Sequence, residues 1–470
     1  MNRTALSRRR LVQAGALLPC MHLSAVVAAV STEDITRLLQ QRVRLEGMGL
    51  AVARFDATAM DLAAAGLIRL GGEAIDPARH RFEIGSITKT MVGVLLADAV
   101  LRGEVALDQT VESLLPDGLR LRDSADAPIR LVDLATHRSG LPRLPGNLDP
   151  TAVPNPADPY AHYDSAALLK AVRQYQPTRA RDAQWEYSNF GYGLLAWVLA
   201  RQAQLSVADW LRQRLFNPLG LQGMEVATPS AAAAEATQGH NPLGQPVPGW
   251  HFLALAGAGA VRASAAELAR YGQAALGGFE HPLLAAFSLA LQVHSDLGPA
   301  PNARMGLGWM LVPSLNLATH DGGTYGFSSS LWLNLIERRG ALALANAMVV
   351  VNDLARHLLN PSQPLRDVAA EKQAQVAALQ QPAVTIAPEA LAALAGVYAL
   401  NPRFKLTVRA RGAELLAQAT GQGEFALFAK APRVFFARVT PLEIEFEGAE
   451  GPAPALVLRQ GGQVLRFAKE

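Results

Sequence analysis

The chain has 470 residues, half of them apolar and 18% charged, with 43 basic against 40 acidic residues and a formal charge of +3. That length accommodates one large domain and a smaller one around a sizeable core, and the composition excludes a disordered chain. A single cysteine, Cys20, excludes a disulfide framework, and so even a charge balance excludes a nucleic-acid partner held through a basic stripe.

In chain order, Ser7-Arg8-Arg9-Arg10-Leu11-Val12-Gln13 is similar to a twin-arginine export signal. It leads into an apolar run from Ala14 to Val30 with a small-residue site at Val27-Ala28-Ala29. Pro19 and His22 interrupt the run, which argues for a leader over residues 1–30, cleaved near Ala29, rather than a membrane anchor. The expected address is the periplasm, with no stable membrane span in the mature chain. Pro19 directly before Cys20 is a poor lipid-attachment context.

Residues 33–46 have the spacing of an amphipathic helix, and strands are expected at 48–55 and around 67–70. Phe82-Glu83-Ile84-Gly85-Ser86-Ile87-Thr88-Lys89 then opens an apolar helical pattern through Met91, Val92, Val94, Leu95 and Leu96. Residues three apart share a helix face, so the Lys89 amine can reach the Ser86 hydroxyl. A serine hydroxyl attacks poorly until a base takes its proton, and a desolvated lysine can lose its charge and be that base. The helix N-terminus favours negative charge developing on the oxygen. The plainer alternative makes Ser86 an N-cap and Lys89 a solvated first-turn residue.

Residues 131–142 include Thr136-His137-Arg138-Ser139-Gly140-Leu141-Pro142, and 142–159 is a Pro-, Asn- and Asp-rich surface loop of the kind that lines binding sites. Trp185-Glu186-Tyr187-Ser188-Asn189 opens an apolar helix over 192–201. Its polar trio either caps that helix or turns the Tyr187 phenol and Asn189 amide into a cleft. A Gly/Ala-rich stretch at 254–261 precedes a helix capped by Ser264. Strands are expected at 308–312, 329–334 and 341–350, and His320-Asp321-Gly322-Gly323 lies between the first two, where glycine lets the backbone approach a ligand. Residues 362–385, Gln- and Ala-rich with proline at both ends, read as a helical linker. From Gly396 onward the period is two, at 404–408, 442–446, 456–458 and 464–467, which predicts a small antiparallel β barrel over 386–470.

The three polar clusters, Ser86/Lys89, Tyr187/Asn189 and His320/Asp321/Gly322, resemble those of the serine β-lactamases and penicillin-recognising enzymes, most closely the class C β-lactamase-like branch. Motifs in that family run Ser-x-x-Lys, Tyr-x-Asn and Lys- or His-x-Gly on an edge strand. The octet at Phe82–Lys89 is similar to the class C signature, departing only at Thr88, and the likeness spans roughly 34–355. The tail from 390 resembles the lipocalin-like β domain found behind some of these hydrolases.

The resemblance implies an α/β (α+β) fold over 31–361: an antiparallel sheet flanked by helices, with an all-helical lobe carrying Tyr187. It implies Ser86 as acylated nucleophile, Lys89 as its base, and Tyr187 as proton exchanger with its phenol pKa shifted down by nearby cationic nitrogens. Asn189, His320, Asp321 and Gly322 would contact substrate, and the N–H groups of Ser86 and Gly323 would form the oxyanion hole. No cofactor and no metal are implied.

One departure carries weight. His320-Asp321-Gly322 stands where Lys-Thr-Gly binds a substrate carboxylate, and a neutral histidine beside Asp321 suits that anion poorly unless Asp321 turns away. The expectation is therefore an exported serine hydrolase acting on β-lactams or related D-amino-acid cell-wall peptides. An esterase using the same residues on uncharged small-molecule esters is an alternative. A binding or sensor module without turnover is an alternative of another class. No Gly-x-Ser-x-Gly elbow or His-Glu-x-x-His appears. His137, His251 and His294 read as structural or surface residues.

Overall fold

The structure, a computed structural model, describes residues 31–470 apart from 47, 150–152, 231–234, 242–243, 372, 374–381, 402–403, 421–423, 439–441 and 461–462. The leader over 1–30 and the middle of the expected linker lie outside the described residues. The elements begin with helix α1 (Thr32–Glu46) and strands β1 (Leu50–Asp56), β2 (Met60–Ala65) and β3 (Phe82–Glu83). Helices α2 (Thr88–Leu101), α3 (Leu131–Ala135), α4 (Ser165–Gln174), α5 (Asn189–Gln202), α6 (Val207–Leu211) and α7 (Asn217–Leu219) follow. Two-residue strands β4 (Glu225–Val226), β5 (Gly239–His240) and β6 (Pro246–Val247) and strand β7 (Val261–Ala263) lead to helices α8 (Ala265–Ala275) and α9 (Leu284–Ala290). Strands β8 (Arg304–Met305), β9 (Met310–Val312), β10 (Leu317–Gly323), β11 (Ser328–Asn334) and β12 (Arg339–Ala345) and helix α10 (Asn352–Leu359) complete this part.

The main sheet runs β2-β1-β12-β11-β10-β9-β8, with antiparallel pairing throughout. Strand β12 explains why it is covered on both faces. Ala341, Ala343 and Ala345 pack with Ile35 and Leu39 of α1 and Leu354 and Leu358 of α10. Leu342 and Leu344 point the other way, into the large core with Ala269 and Tyr271 of α8. Period-two alternation of two apolar side-chain sizes thus builds a strand between two helical layers.

The second strand occupies Met60–Ala65 rather than 67–70. The Asp56 carboxylate accepts the N–H of Thr58 at 2.7 Å and of Ala59 at 2.9 Å, making an Asx turn that folds β2 back on β1. His320–Gly323 likewise lies on a regular strand, β10, rather than in a connection between strands.

Helix α2 is buried around its whole circumference from Thr88 to Ala99, the mark of a central helix. Gly93 is required there, since a Cβ would lie 1.8 Å from the Leu307 carbonyl oxygen. From Gly396 to Lys469, eight strands close a barrel in which each is paired to the next and the last to the first. Its interior holds Tyr398, Leu406, Leu415, Phe435, Ile444 and Phe467. The α/β sheet with its helical layers and the separate antiparallel barrel agree with the fold expected from the sequence.

Candidate active site

Three remote segments converge at the N-terminus of α2. Strand β3 pairs with β7, placing Phe82 opposite Ala263 and Glu83 opposite Arg262. Glu83 and Arg262 form a buried ion pair at 3.4 Å, and Glu83 also accepts the Trp250 N–H at 2.8 Å, which anchors the strand entering the site. Gly85 then takes φ +48°, a left-handed conformation open to glycine, and starts a 3₁₀ turn over Gly85–Ile87 that delivers Ser86 and runs into α2. No side-chain cap hydrogen bond is made at this turn, so Ser86 is not an N-cap. Lys89 is fully buried, so it is not a solvated first-turn residue either. In contrast, Ser188 does cap α5, its hydroxyl accepting the Gly191 N–H at 2.8 Å.

The Lys89 surroundings decide its chemistry. Its Nζ lies 2.9 Å from Ser86 Oγ, 2.9 Å from Asn189 Oδ1 and 2.5 Å from the Ala258 carbonyl oxygen. Burial, reinforced by the positive Arg143 nearby, pushes its pKa well below the ordinary lysine value. A neutral amine has two N–H donors and one lone pair. The carbonyl oxygens of Ala258 and Asn189 can only accept, and they take the two donors. The lone pair is left for the one neighbour with a proton to give, the Ser86 hydroxyl.

Tyr187 completes this side of the site. Its ring lies 4.7 Å from Lys89 Nζ, 4.5 Å from the His137 ring and 5.3 Å from the Arg143 guanidinium carbon, and its phenol hydrogen-bonds with Ser86. Burial raises the phenol pKa to about 12, against the opposing pull of the Ser86 hydrogen bond and of Arg143. This corrects the expected downward shift: the cost of burying a phenolate outweighs the pull of the cationic Arg143. Tyr187 is therefore a proton donor at neutral pH.

On the sheet side, β10 extends past its pairing with β9, which ends at Thr319, so His320–Gly323 present one edge to the Gly85–Ile87 turn. A Cβ on Gly85 would lie 2.6 Å from the Gly323 backbone nitrogen, which brings Gly323 against the segment that bears Ser86. Side chains alternate along the strand. His320 is 1% exposed, and its ring lies 6.3 Å from that of Tyr187. Asp321 points to the opposite face, where Ser330 donates to its carboxylate at 2.5 Å and Asn352 at 3.2 Å. It is turned away from the cleft. The His320 Nδ1 donates to the Asp321 carbonyl oxygen at 2.6 Å, leaving Nε2 as a buried acceptor without a partner. Burial pushes the His320 pKa down to about 3, so the ring is neutral at neutral pH.

Three residues went unrecognised in the sequence. Arg143 directly follows the Thr136–Pro142 stretch, and its carbonyl accepts the N–H groups of Asn189 at 2.9 Å and Phe190 at 3.2 Å. Tyr160, in the polar loop, hydrogen-bonds with Asn189. His137, read as structural or surface, packs against Tyr187, and its Nδ1 accepts the Ser188 N–H at 3.1 Å. Their signal was adjacency to recognisable polar stretches, but an isolated arginine or tyrosine in a loop has no period to betray it. His251 and His294 are structural, the first against Asp158 at 2.7 Å and the second against the Leu289 carbonyl at 2.8 Å. Among the described residues, no group of acidic, histidine or cysteine side chains could hold a metal ion.

A buried lysine beside a serine on a central helix, a Tyr-x-Asn turn from a helical lobe and a free backbone edge of an antiparallel sheet define a serine–lysine hydrolase class of fold and site. The chain belongs to the beta-lactamase family, whose family model matches residues 35–360. A beta-lactamase of Providencia stuartii is 30% identical over 169 residues, 36% of this chain and 40% of its own. The D-alanyl-D-alanine-carboxypeptidase/endopeptidase AmpH of Escherichia coli K12 is 28% identical over 232 residues, 48% of this chain and 56% of its own. These alignments thus span less than two thirds of either relative. Among solved structures, a class C beta-lactamase superposes with a TM-score of 0.61 at 20% identity, over 73% of this chain and 99% of its own. A D-alanine carboxypeptidase AmpC from Burkholderia cenocepacia gives 0.58 at 23%, over 70% and 99%. At these identities the likeness is one of fold.

Proposed function

We propose that the chain is a serine hydrolase of the class C β-lactamase type, acting through an acyl-enzyme on Ser86 on β-lactams or related D-amino-acid peptides. The observation that carries this is the fully buried Lys89 amine, its pKa pushed well below the ordinary lysine value and its Nζ 2.9 Å from Ser86 Oγ. In this reading Lys89 takes the hydroxyl proton as Ser86 Oγ bonds to the substrate carbonyl carbon. The oxyanion is met by the N–H groups of Ser86 and Gly323, each such donor contributing about 2.7 to 4 kcal/mol to the transition state. Tyr187 gives its proton to the leaving group and recovers one from the Lys89 ammonium. Water then releases the acyl group by the reverse traffic. Asn189 contacts the acyl amide, and His320 Nε2 accepts a hydrogen bond from the substrate.

A second reading, a carboxylesterase using the same residues, is favoured by the neutral His320 on the sheet side, which offers no cation there. The test is labelling by a fluorophosphonate and a fluorescent penicillin. Both should label the wild type, and Ser86→Ala should abolish both; persistence of either label in that variant refutes the proposal. Turnover of nitrocefin, a D-Ala-D-Ala peptide and p-nitrophenyl butyrate then ranks the substrate classes.

Export to the periplasm belongs to the same reading and is supported by the arginine-led leader pattern. No helix among the described residues is long and apolar enough to cross a membrane. The division into hydrolase (31–361), linker (362–385) and barrel (386–470) is supported by the main sheet's last helix ending at Leu359 and the barrel's first strand starting at Gly396.

A further inference from the structure

The charges around the cleft are unevenly matched. Arg130 pairs with Asp133, Arg138 with Asp182 and Arg179 with Glu186, all on the helical lobe. Arg143 is exposed, and among the described residues no carboxylate pairs with it. It is nonetheless firmly sited, since its carbonyl caps the start of α5 by accepting from Asn189 and Phe190, and its guanidinium lies 5.3 Å from the Tyr187 ring centre. Among the described residues, the sheet side of the cleft presents a neutral His320 there, with Asp321 facing away.

We propose that Arg143 is the anion anchor of this site, binding a carboxylate carried on the acyl half of the substrate. Placement selects the acyl half. The Arg143 carbonyl accepts from the N–H of Asn189, whose side-chain oxygen meets Lys89, and its guanidinium lies over the Tyr187 ring. The anchor therefore stands on the Asn189 wall of the cleft. A guanidinium fork matches a carboxylate in two parallel hydrogen bonds, and an exposed, unpaired one needs no competing ion pair broken before it binds.

This inference rests on the acyl-enzyme reading and names its substrate class as acyl groups ending in a carboxylate. The test compares mono-p-nitrophenyl glutarate, which carries that carboxylate, with neutral p-nitrophenyl butyrate, in the full-length wild type and in Arg143→Gln. The substituted side chain is exposed and the capping carbonyl is retained, so the fold is preserved. Expected is a KM at least tenfold lower for the glutarate than for the butyrate in the wild type. In Arg143→Gln the glutarate KM should rise about tenfold, with the butyrate KM changed less than threefold. Arg143→Lys should fall between, keeping the charge without the fork. The acid limb of kcat should move up in pH for both esters in Arg143→Gln, because a like charge near Lys89 is gone. Equal KM values in the wild type, or equal rises for both esters in the variant, overturn the anchor while leaving the acyl-enzyme intact. Loss of all Ser86-dependent turnover in the wild type overturns the proposed function, and the anchor with it.

Discussion

Replacing Lys89 with methionine should raise the stability of the fold near neutral pH relative to its value at alkaline pH, while removing the base. The sign follows from the proton count. Unfolded, this lysine titrates near 10.4; folded, its pKa is well below that, so over the intervening window the unfolded chain binds one more proton than the native one. Native stability therefore rises with pH through that window, by 2.303RT or about 1.4 kcal/mol per pH unit for one proton. From pH 8 to pH 10 the sum reaches about 2.5 kcal/mol for an amine already deprotonated at pH 8, the slope flattening as 10.4 is approached. Lys89→Met has no such term. It also leaves the Ala258 carbonyl and Asn189 Oδ1 without their donor, at about 1–3 kcal/mol each, but that cost does not depend on pH and cancels from the comparison.

The assay is denaturant unfolding of both proteins at pH 8, 9 and 10. Tryptophan fluorescence suits it, because all six tryptophans, at 185, 197, 210, 250, 309 and 332, precede the barrel. The wild type should gain stability over the variant across this range, by up to about 2.5 kcal/mol. A difference under about 0.5 kcal/mol, or one of opposite sign, would refute the neutral buried amine and with it the lone-pair argument.

Other outcomes follow from the same geometry. Tyr187→Phe should lower kcat by about 10²- to 10⁴-fold through loss of the donor, and the wild-type rate should show no alkaline fall from this phenol below pH 10, its pKa lying at about 12. His320→Gln should leave the shape of the kcat/KM profile between pH 5 and 8 unchanged, because a ring with a pKa of about 3 does not titrate there; a profile that loses an inflection in the variant contradicts this. Arg262→Met should cost about 3–5 kcal/mol in thermal or denaturant unfolding by stranding Glu83 in the interior, and Glu83→Gln in the same background should recover part of it.

Much of the architecture was legible in the residues because it rests on period and punctuation. The Phe82–Lys89 octet, the Ser264-capped helix and the alternating tail all announce themselves locally. Strand β2 did not, since Met60-Asp61-Leu62-Ala63-Ala64-Ala65 is poor in β-branched residues and its turn, Asp56-Ala57-Thr58-Ala59, carries no glycine. The serine, lysine, tyrosine and edge-strand positions could be found because each sits in a short motif. What spacing could not give was environment. The upward shift of Tyr187, the outward turn of Asp321 and the unpaired charge of Arg143 depend on what packs beside each group, and those neighbours come from segments far away in sequence.

The sheet order also governs how the chain must be assembled. Leu50 of β1 pairs with Ala345 of β12, so one of the first strands made finds its partner roughly 300 residues later, a closure costing about 5 kcal/mol in chain entropy before any contact repays it. The barrel is the reverse case, seven successive hairpins and one closing seam. Folding of the larger part is then a late, slow event that waits for nearly all of its length, whereas the tail can nucleate from neighbouring strands as soon as it exists.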